Sequence, residues 1–217
     1  MTFINVTLDE LERDALTELV NIGVSRAAAS LRKMVGKQVL LSVPSVEVVT
    51  QNAAAALIGQ RESNDLVAIR QEFGGAFSGK ALLIFPEENS LELVRAIVGD
   101  ELELAEVASL KDEALAETGN VILNGCLGTI ANMLNQSLQM SLPKVVYGDG
   151  KVLFDVNAEV DKDGLVLFLY INFSVRDRNI RGYIAMIMDL PSLSMLKELL
   201  GDFITRVTAD SNWAVGG

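Results

Sequence analysis

The chain has 217 residues, half of them hydrophobic, and a mean hydropathy of +0.32, which is enough for a substantial buried core and excludes a disordered chain. With 29 acidic and 18 basic residues its net charge is −11, which disfavours nucleic acid and anionic membrane surfaces as partners. It contains no histidine and one cysteine, Cys126. A Ser-His-Asp triad, a His-ligated zinc site, a phosphohistidine intermediate and an internal disulfide are therefore excluded.

Targeting and membrane segments are not predicted. The start of the chain has no basic stretch followed by an apolar core, as a signal peptide would have. The longest apolar runs are far shorter than the roughly 20 residues that a membrane helix needs. We therefore expect a cytoplasmic protein without membrane insertion.

The first half of the sequence predicts two long strands between helices. A long helix from Leu8 to Val35 begins at a capping box of Thr7 and Glu10 and ends near Gly36. The later predicted elements are a β-rich stretch over 38–49 interrupted at Pro44, a helix over 52–58 capped by Asn52, strands over 65–73 and 77–85 separated by Gly74-Gly75, and a helix over 89–99 closed by Gly99.

The second half repeats this order. Its long helix has Ser109 and Asp112 as the capping box. The later predicted elements are hairpin turns at Asp149-Gly150 and Asp163-Gly164 flanked by strands over 151–160 and 165–175, a strand over 182–190 and a helix over 191–202 that begins at Pro191. The tail over 203–217 has no counterpart in the first half and fits a last strand or a helical turn.

Two similar units, about 7–100 and 109–202, are therefore predicted in one domain spanning residues 1–217 with a short C-terminal tail. Strands joined by short turns favour an antiparallel sheet. We expect an α+β fold, internally duplicated with pseudo-two-fold symmetry, in which two long helices pack on a largely antiparallel continuous sheet.

Each long helix carries an acid, a glutamate and an asparagine at positions i, i+4 and i+7. Successive helical residues turn by about 100°, so these three side chains share one stripe. The first copy is Asp14, Glu18 and Asn21, and the second is Glu113, Glu117 and Asn120, with a proline 23 residues after each asparagine, Pro44 and Pro143. A single copy would be read as an ordinary solvated helix face, but its repetition favours a functional site.

This spacing resembles the signature of the CheC/CheX/FliY phosphatases of bacterial and archaeal chemotaxis, in which an acid or serine, a glutamate, an asparagine and a proline recur at these intervals. The resemblance covers most of residues 8–200 and is greatest to CheC, which has two motif copies. One departure is Glu113, which stands where the pattern has Asp or Ser. The resemblance implies two symmetry-related long helices across one face of a continuous sheet.

The chemistry follows from what these side chains lack. A carboxylate and a carboxamide with no nucleophile of their own could complete the site of a response regulator, which supplies the phosphorylated aspartate, Mg²⁺ and a lysine. An amide can hold the attacking water as donor and acceptor, which suits Asn21 and Asn120. Glu18 and Glu117 would pair with the regulator's lysine, while Asp14 and Glu113 would dock at the rim.

The resemblance implies the same roles, with phosphorylated CheY as substrate. We therefore predict an aspartyl-phosphate phosphatase that ends a chemotaxis signal, with no cofactor or metal site of its own and Mg²⁺ supplied by the regulator. The deamidase CheD is a further candidate partner, and we expect a monomer because duplication supplies both helices in one chain.

Other interpretations stay open. The chain could be a non-enzymatic interaction module that binds CheD or acts as a scaffold like the middle part of FliM, which shares the fold without the motifs. A ligand-binding sensor is a third reading, which no residue specifically favours. Residues Gly74 to Lys80 resemble a phosphate-binding loop, but Ala81 replaces the Ser or Thr that holds magnesium and a strand, not a helix, follows.

Overall fold

The computed structural model describes residues 7–36, 38–43, 45–62, 65–98, 103–156, 164–175 and 178–214. The described helices are α1 Glu10–Val35, α2 Gln51–Arg61, α3 Glu87–Val98, α4 Leu104–Ser109, α5 Lys111–Met133, α6 Gly150–Leu153 and α7 Leu190–Ala214. The described strands are β1 Val39–Ser42, β2 Val46–Thr50, β3 Leu66–Gly75, β4 Gly79–Pro86, β5 Leu138–Met140, β6 Lys144–Gly148, β7 Leu165–Val175 and β8 Arg178–Met188.

All eight strands form one sheet in the order β1-β7-β8-β4-β3-β5, with β2 beside β7 and β6 beside β3. Every pairing is antiparallel, and β4 and β8 meet at the centre. The short strands of each half lie against a long strand of the other half. The order of short and long strands across the sheet is therefore the same from either edge. The predicted α+β fold with pseudo-two-fold symmetry and two long helices on an antiparallel sheet is confirmed.

The sheet separates two hydrophobic clusters because side chains alternate between its faces. Along β3, Val67 and Ile69 belong to the larger cluster under α1 and α5, while Leu66 and Ala68 belong to the smaller one under α2 and α6. The long helices thus lie together on one face. Within the described residues, no helix is long and apolar enough to cross a membrane.

The capping box of α1 lies two residues later than predicted. The Asp9 carboxylate accepts a hydrogen bond from Glu12 N at 2.8 Å, and the Glu12 carboxylate accepts one from Asp9 N at 2.8 Å. Thr7 and Glu10 have the same spacing, so the sequence offered two candidates and the wrong one was chosen. The predicted end is correct, since Gly36 closes the helix with a φ of 66°.

The predicted caps of α5 and α2 are also wrong. Ser109 ends α4, where its hydroxyl donates to Glu106 O at 2.7 Å, and α5 follows at Lys111 without a side-chain cap. Thr50, the last residue of β2, caps α2 by accepting from Ala53 N at 3.2 Å, which leaves Asn52 inside the helix. A strand that runs straight into a helix moves the cap to the strand's last residue.

The predicted strand over 151–160 is wrong over residues 151–156, which form α6 and the turn after it, and its remainder lies outside the described residues. Asp149 does not begin a hairpin but caps α6, because its carboxylate accepts from Val152 N at 2.9 Å. The short helix and the turn after it bury Leu153 and Phe154 in the smaller cluster. Of the predicted turn at Asp163-Gly164, Asp163 lies outside the described residues.

The turn between β3 and β4 lies later in the sequence than predicted. Gly74 and Gly75 belong to β3, and the turn occupies residues 76–78. Lys80 then lies in β4, where its ammonium binds Asp155 Oδ2 at 2.6 Å. A strand on both sides agrees with the rejection of a phosphate-binding loop here.

The C-terminal segment is one long helix. Pro191 stands in the first turn of α7, as predicted, and Asp189 caps it by accepting from Ser192 N at 2.8 Å. The tail from residue 203, for which the sequence allowed either a strand or a helical turn, continues α7 as far as Ala214. The predicted closure of α3 at Gly99 lies outside the described residues.

Candidate functional site

The two motif helices α1 and α5 cross at close range. A Cβ atom added to Gly23 would lie 2.7 Å from Cys126 Cα, and one added to Gly125 would lie 3.0 Å from Ala27 Cβ. Only glycine allows two helix backbones to approach this closely. Both motifs are therefore held on one rigid helix pair.

Gly119, between Glu117 and Asn120, has a similar role against the sheet. A Cβ atom there would lie 2.3 Å from Ile69 Cγ2. Gly23 and Gly119 therefore allow the close approach of α5 and β3, respectively.

The four acidic motif side chains point into solvent. Asp14 and Glu18 are exposed on α1, and Glu113 and Glu117 are exposed on α5, opposite the buried Leu16 and Leu115. None of the four carboxylates has a hydrogen bond or ion pair with a residue that the structure describes. A cation on another protein could approach these exposed carboxylates.

Asn21 is tied to the strand connection that follows α1. Its Nδ2 donates to Val43 O at 2.9 Å, and its Oδ1 accepts from Val43 N at 2.9 Å. One N–H and one oxygen lone pair of the half-buried amide remain. The bonded pair explains the spacing in the sequence, because Asn21 fixes the residue before Pro44, although Pro44 itself lies outside the described residues.

Asn120 has a different set of partners. Its Oδ1 accepts from Gln71 Nε2 at 3.1 Å and from Asn124 Nδ2 at 2.7 Å. Gln71 Nε2 also donates to Ser141 O at 2.9 Å. The Nδ2 of Asn120 donates to no described residue, so both of its N–H groups remain for a ligand.

The two copies of the motif are thus alike in their carboxylates and different in their amides. Val43, which Asn21 holds, is 2% exposed, whereas Leu142 at the matching position of the second half is 84% exposed. Local periodicity predicted the shared stripe. It could not predict Gln71, which comes from a strand 49 residues before Asn120.

A shallow depression beside the first motif adds two residues that the sequence reasoning missed. Ser25 and Arg26 line it together with Glu18 and Asn21. Ser25 lies one helical turn after Asn21, a spacing that could have indicated it. Arg26 is exposed and its Nη1 donates to Thr129 Oγ1 at 3.4 Å, so a cation lies next to the first motif.

The single cysteine is buried between the two motif helices and is not exposed on this surface. Burial raises the pKa of the Cys126 thiol to about 12, which keeps it in the unreactive thiol form. Among the described residues, no three Cys, Asp or Glu side chains are grouped as a metal site would require.

Comparison with known proteins supports the likeness first seen in the motifs. Residues 11–48 match the model of the CheC-like family. The chain is 22% identical to the flagellar motor switch phosphatase FliY of Bacillus subtilis over 213 residues, which are 96% of this chain and 53% of that protein. It is 21% identical to the CheY-P phosphatase CheC of B. subtilis over 141 residues, 64% of this chain and 67% of that protein. The chain thus spans about half the length of FliY.

Solved structures agree on the fold. The crystal structure of Thermotoga maritima FliY superposes with a TM-score of 0.69 at 18% identity and covers 91% of this chain and 100% of that one. The FliM middle domain of H. pylori superposes with a TM-score of 0.59 at 8% identity, covering 88% of this chain and 99% of that one. In its two motif copies, its match over residues 11–48 and its fold, the chain is similar to the CheC/CheX/FliY family.

Proposed function

We propose that the chain is a phosphatase that hydrolyses the aspartyl phosphate of a CheY-type response regulator. The observation that carries this proposal is the pair of exposed carboxylates Glu18 and Glu117, which have no partner among the described residues and each stand one turn before a half-buried asparagine. A carboxylate and an amide in this arrangement fit a substrate protein that brings its own Mg²⁺ and lysine. The names of the relatives FliY and CheC support the same reaction.

In the proposed reaction the water oxygen forms a bond to phosphorus while the bond between phosphorus and the aspartate oxygen breaks. The products are the free aspartate carboxylate and inorganic phosphate. The proton that the attacking water gives up ends on the phosphate. Glu18 or Glu117 would pair with the regulator's lysine and set the docking register, with Asp14 and Glu113 at the rim.

The contacts of the two asparagines refine the role first assigned to them. Asn21 retains one donor and one acceptor and could hold a water through both. Asn120 has its oxygen occupied, so it would act through Nδ2 alone, with one N–H on the water oxygen and one on a phosphoryl oxygen. Either arrangement aligns the water without accepting its proton.

The test is the decay of phosphorylated CheY-type regulator with Mg²⁺ present. Wild-type protein is expected to accelerate it, Asn21→Ala and Asn120→Ala to lower the rate separately, and the double variant to abolish the acceleration. Asn52→Ala, an exposed asparagine of α2 on the other side of the sheet, is the matched control. Glu18→Gln with Glu117→Gln should raise KM as well as lower kcat, because the charge serves docking.

A second function, an interaction module of the chemotaxis or flagellar switch apparatus, is favoured by one observation. Both ends of the Asn21 amide are bonded to Val43, as in a side chain with a structural role. Wild-type protein that binds the regulator or CheD without changing the decay would establish this function and refute the phosphatase.

A further inference from the structure

A buried amide lies under the second motif. Gln71 is 1% exposed and projects from β3 into the hydrophobic cluster beneath α5, between Ile69 and Phe73 on the same face. Burying an amide among apolar side chains is unfavourable unless its hydrogen bonds are made. Its Nε2 makes two hydrogen bonds, whereas its Oε1 has no partner among the described residues, so the contacts of Nε2 indicate what the amide does there.

The orientation of this amide is fixed by a backbone carbonyl. Ser141 O can only accept, so the Gln71 atom 2.9 Å away must be the amino nitrogen. Ser141 is itself fastened to β3, since its N donates to Glu72 O at 2.8 Å and its hydroxyl accepts from Glu72 N at 2.9 Å. The carbonyl that sets the orientation of Gln71 is thus held by the sheet.

This orientation is passed on to Asn120. Because Gln71 presents an amino nitrogen, the Asn120 atom 3.1 Å from it must be the oxygen, and Asn124 must then also present its amino nitrogen to that oxygen. Two donors fill the two lone pairs of Asn120 Oδ1. The amino group of Asn120 is left facing away from the network.

The first half lacks this arrangement. Arg70 of β3 pairs with Lys144 of β6. The residue equivalent to Lys144 in the first half is Ser45, 99 residues earlier, and extending the β2–β7 register one residue beyond Val46↔Leu169 places Ser45 opposite Tyr170. Tyr170 is therefore the equivalent of Arg70. The residues that follow Arg70 and Tyr170 are Gln71 and Ile171. An amide under the second motif thus corresponds to an apolar side chain under the first.

We propose that Gln71 is a positioning residue that locks the Asn120 amide with its amino group toward the substrate. This rests on the proposed function of Asn120. Gln71 touches no reacting atom and acts only through Asn120. It makes the second site a donor-only site, unlike the first, where Asn21 keeps an acceptor.

The test isolates the second site in an Asn21→Ala background and replaces Gln71 with methionine, which has a similar length and no hydrogen bond. The expected result is a kcat for regulator dephosphorylation lower by roughly ten-fold with KM little changed, because an amide free to rotate is seldom in the productive orientation. In an Asn120→Ala background the same replacement should leave the remaining activity unchanged. The control is Gln139→Met, an exposed glutamine of β5.

An unchanged kcat in the first background, or an equal loss in both backgrounds, would overturn the proposal, the latter because it indicates a general structural defect. A readout independent of activity is the side-chain amide signal of Asn120 in ¹⁵N NMR, identified by its absence from Asn120→Ala. It should shift in Gln71→Met and stay in place in Gln139→Met. If wild-type protein has no phosphatase activity, the proposed function fails, while this shift still decides whether Gln71 orients Asn120.

Discussion

Replacing Gly119 with alanine tests whether contact with the sheet fixes the position of the second motif. The new Cβ would lie 2.3 Å from Ile69 Cγ2 and 2.5 Å from Ile69 Cβ. Carbon atoms pack at about 3.5 Å, so α5 and β3 must separate by roughly 1 Å. Overpacking of this kind costs about 1–3 kcal/mol, and the better helix propensity of alanine offsets about 1 kcal/mol.

We therefore expect Gly119→Ala to lower the free energy of unfolding by up to about 2 kcal/mol, which is about 4–8 °C in Tm for a chain of this length. A displacement near 1 Å can also reduce a rate about 100-fold, so the phosphatase activity proposed for the second motif should fall sharply. Thermal unfolding followed by circular dichroism measures the first effect. Regulator dephosphorylation in an Asn21→Ala background measures the second.

Gly128→Ala in the same helix is the matched control. An added Cβ there meets nothing within 4 Å, so the helix should gain about 1 kcal/mol and melt about 2–4 °C higher. If Gly119→Ala melts as high as Gly128→Ala and retains its activity, the contact with Ile69 does not constrain α5, and the reasoning is refuted.

Three further predictions concern the fold. Asp9→Ala should destabilise the protein by about 1 kcal/mol in urea unfolding, since it removes the cap of α1, and an unchanged midpoint would contradict the capping geometry. Burial raises the pKa of the Asp155 carboxyl, but the opposite effect of Lys80 and Arg70 is larger. The pKa of Asp155 therefore lies below the usual 3.8. The stabilisation of the folded protein by these two ion pairs is therefore complete above pH 3.8 and is lost as the pH falls below that value. Asp155→Asn should be less stable than wild type at pH 7, and the difference should be smaller at pH 2.5. Cys126 should resist thiol reagents at pH 8 until denaturant is added, and rapid labelling of the native protein would refute its burial.

The local pattern of the sequence predicted the stripe of motif side chains and the two long helices, because helical periodicity depends only on near neighbours. It failed where sheet register decides. Whether Asn21 meets Val43 or Asn120 meets Gln71 depends on which strands lie beneath each helix, and no spacing along the chain contains that information.

The missed helix α6 could have been found. Thr50 caps α2, and Asp149 caps α6 exactly one repeat offset of 99 residues later. The apolar run after Asp149 looked like a strand when taken alone. The duplication already recognised in the sequence would have predicted a helix there, and the capping preference of aspartate agrees with it.

The exchange of short strands between the halves has a consequence for folding. Residues of β1 and β2 complete their hydrogen bonds only on β7, and those of β5 and β6 only on β3. Neither half could satisfy its own strand edges, so an isolated half would present open edges to other chains. These pairings join residues far apart in sequence, which makes folding slow. Because each half supplies short strands to the sheet of the other, we expect the two interlocked halves to unfold in a single transition.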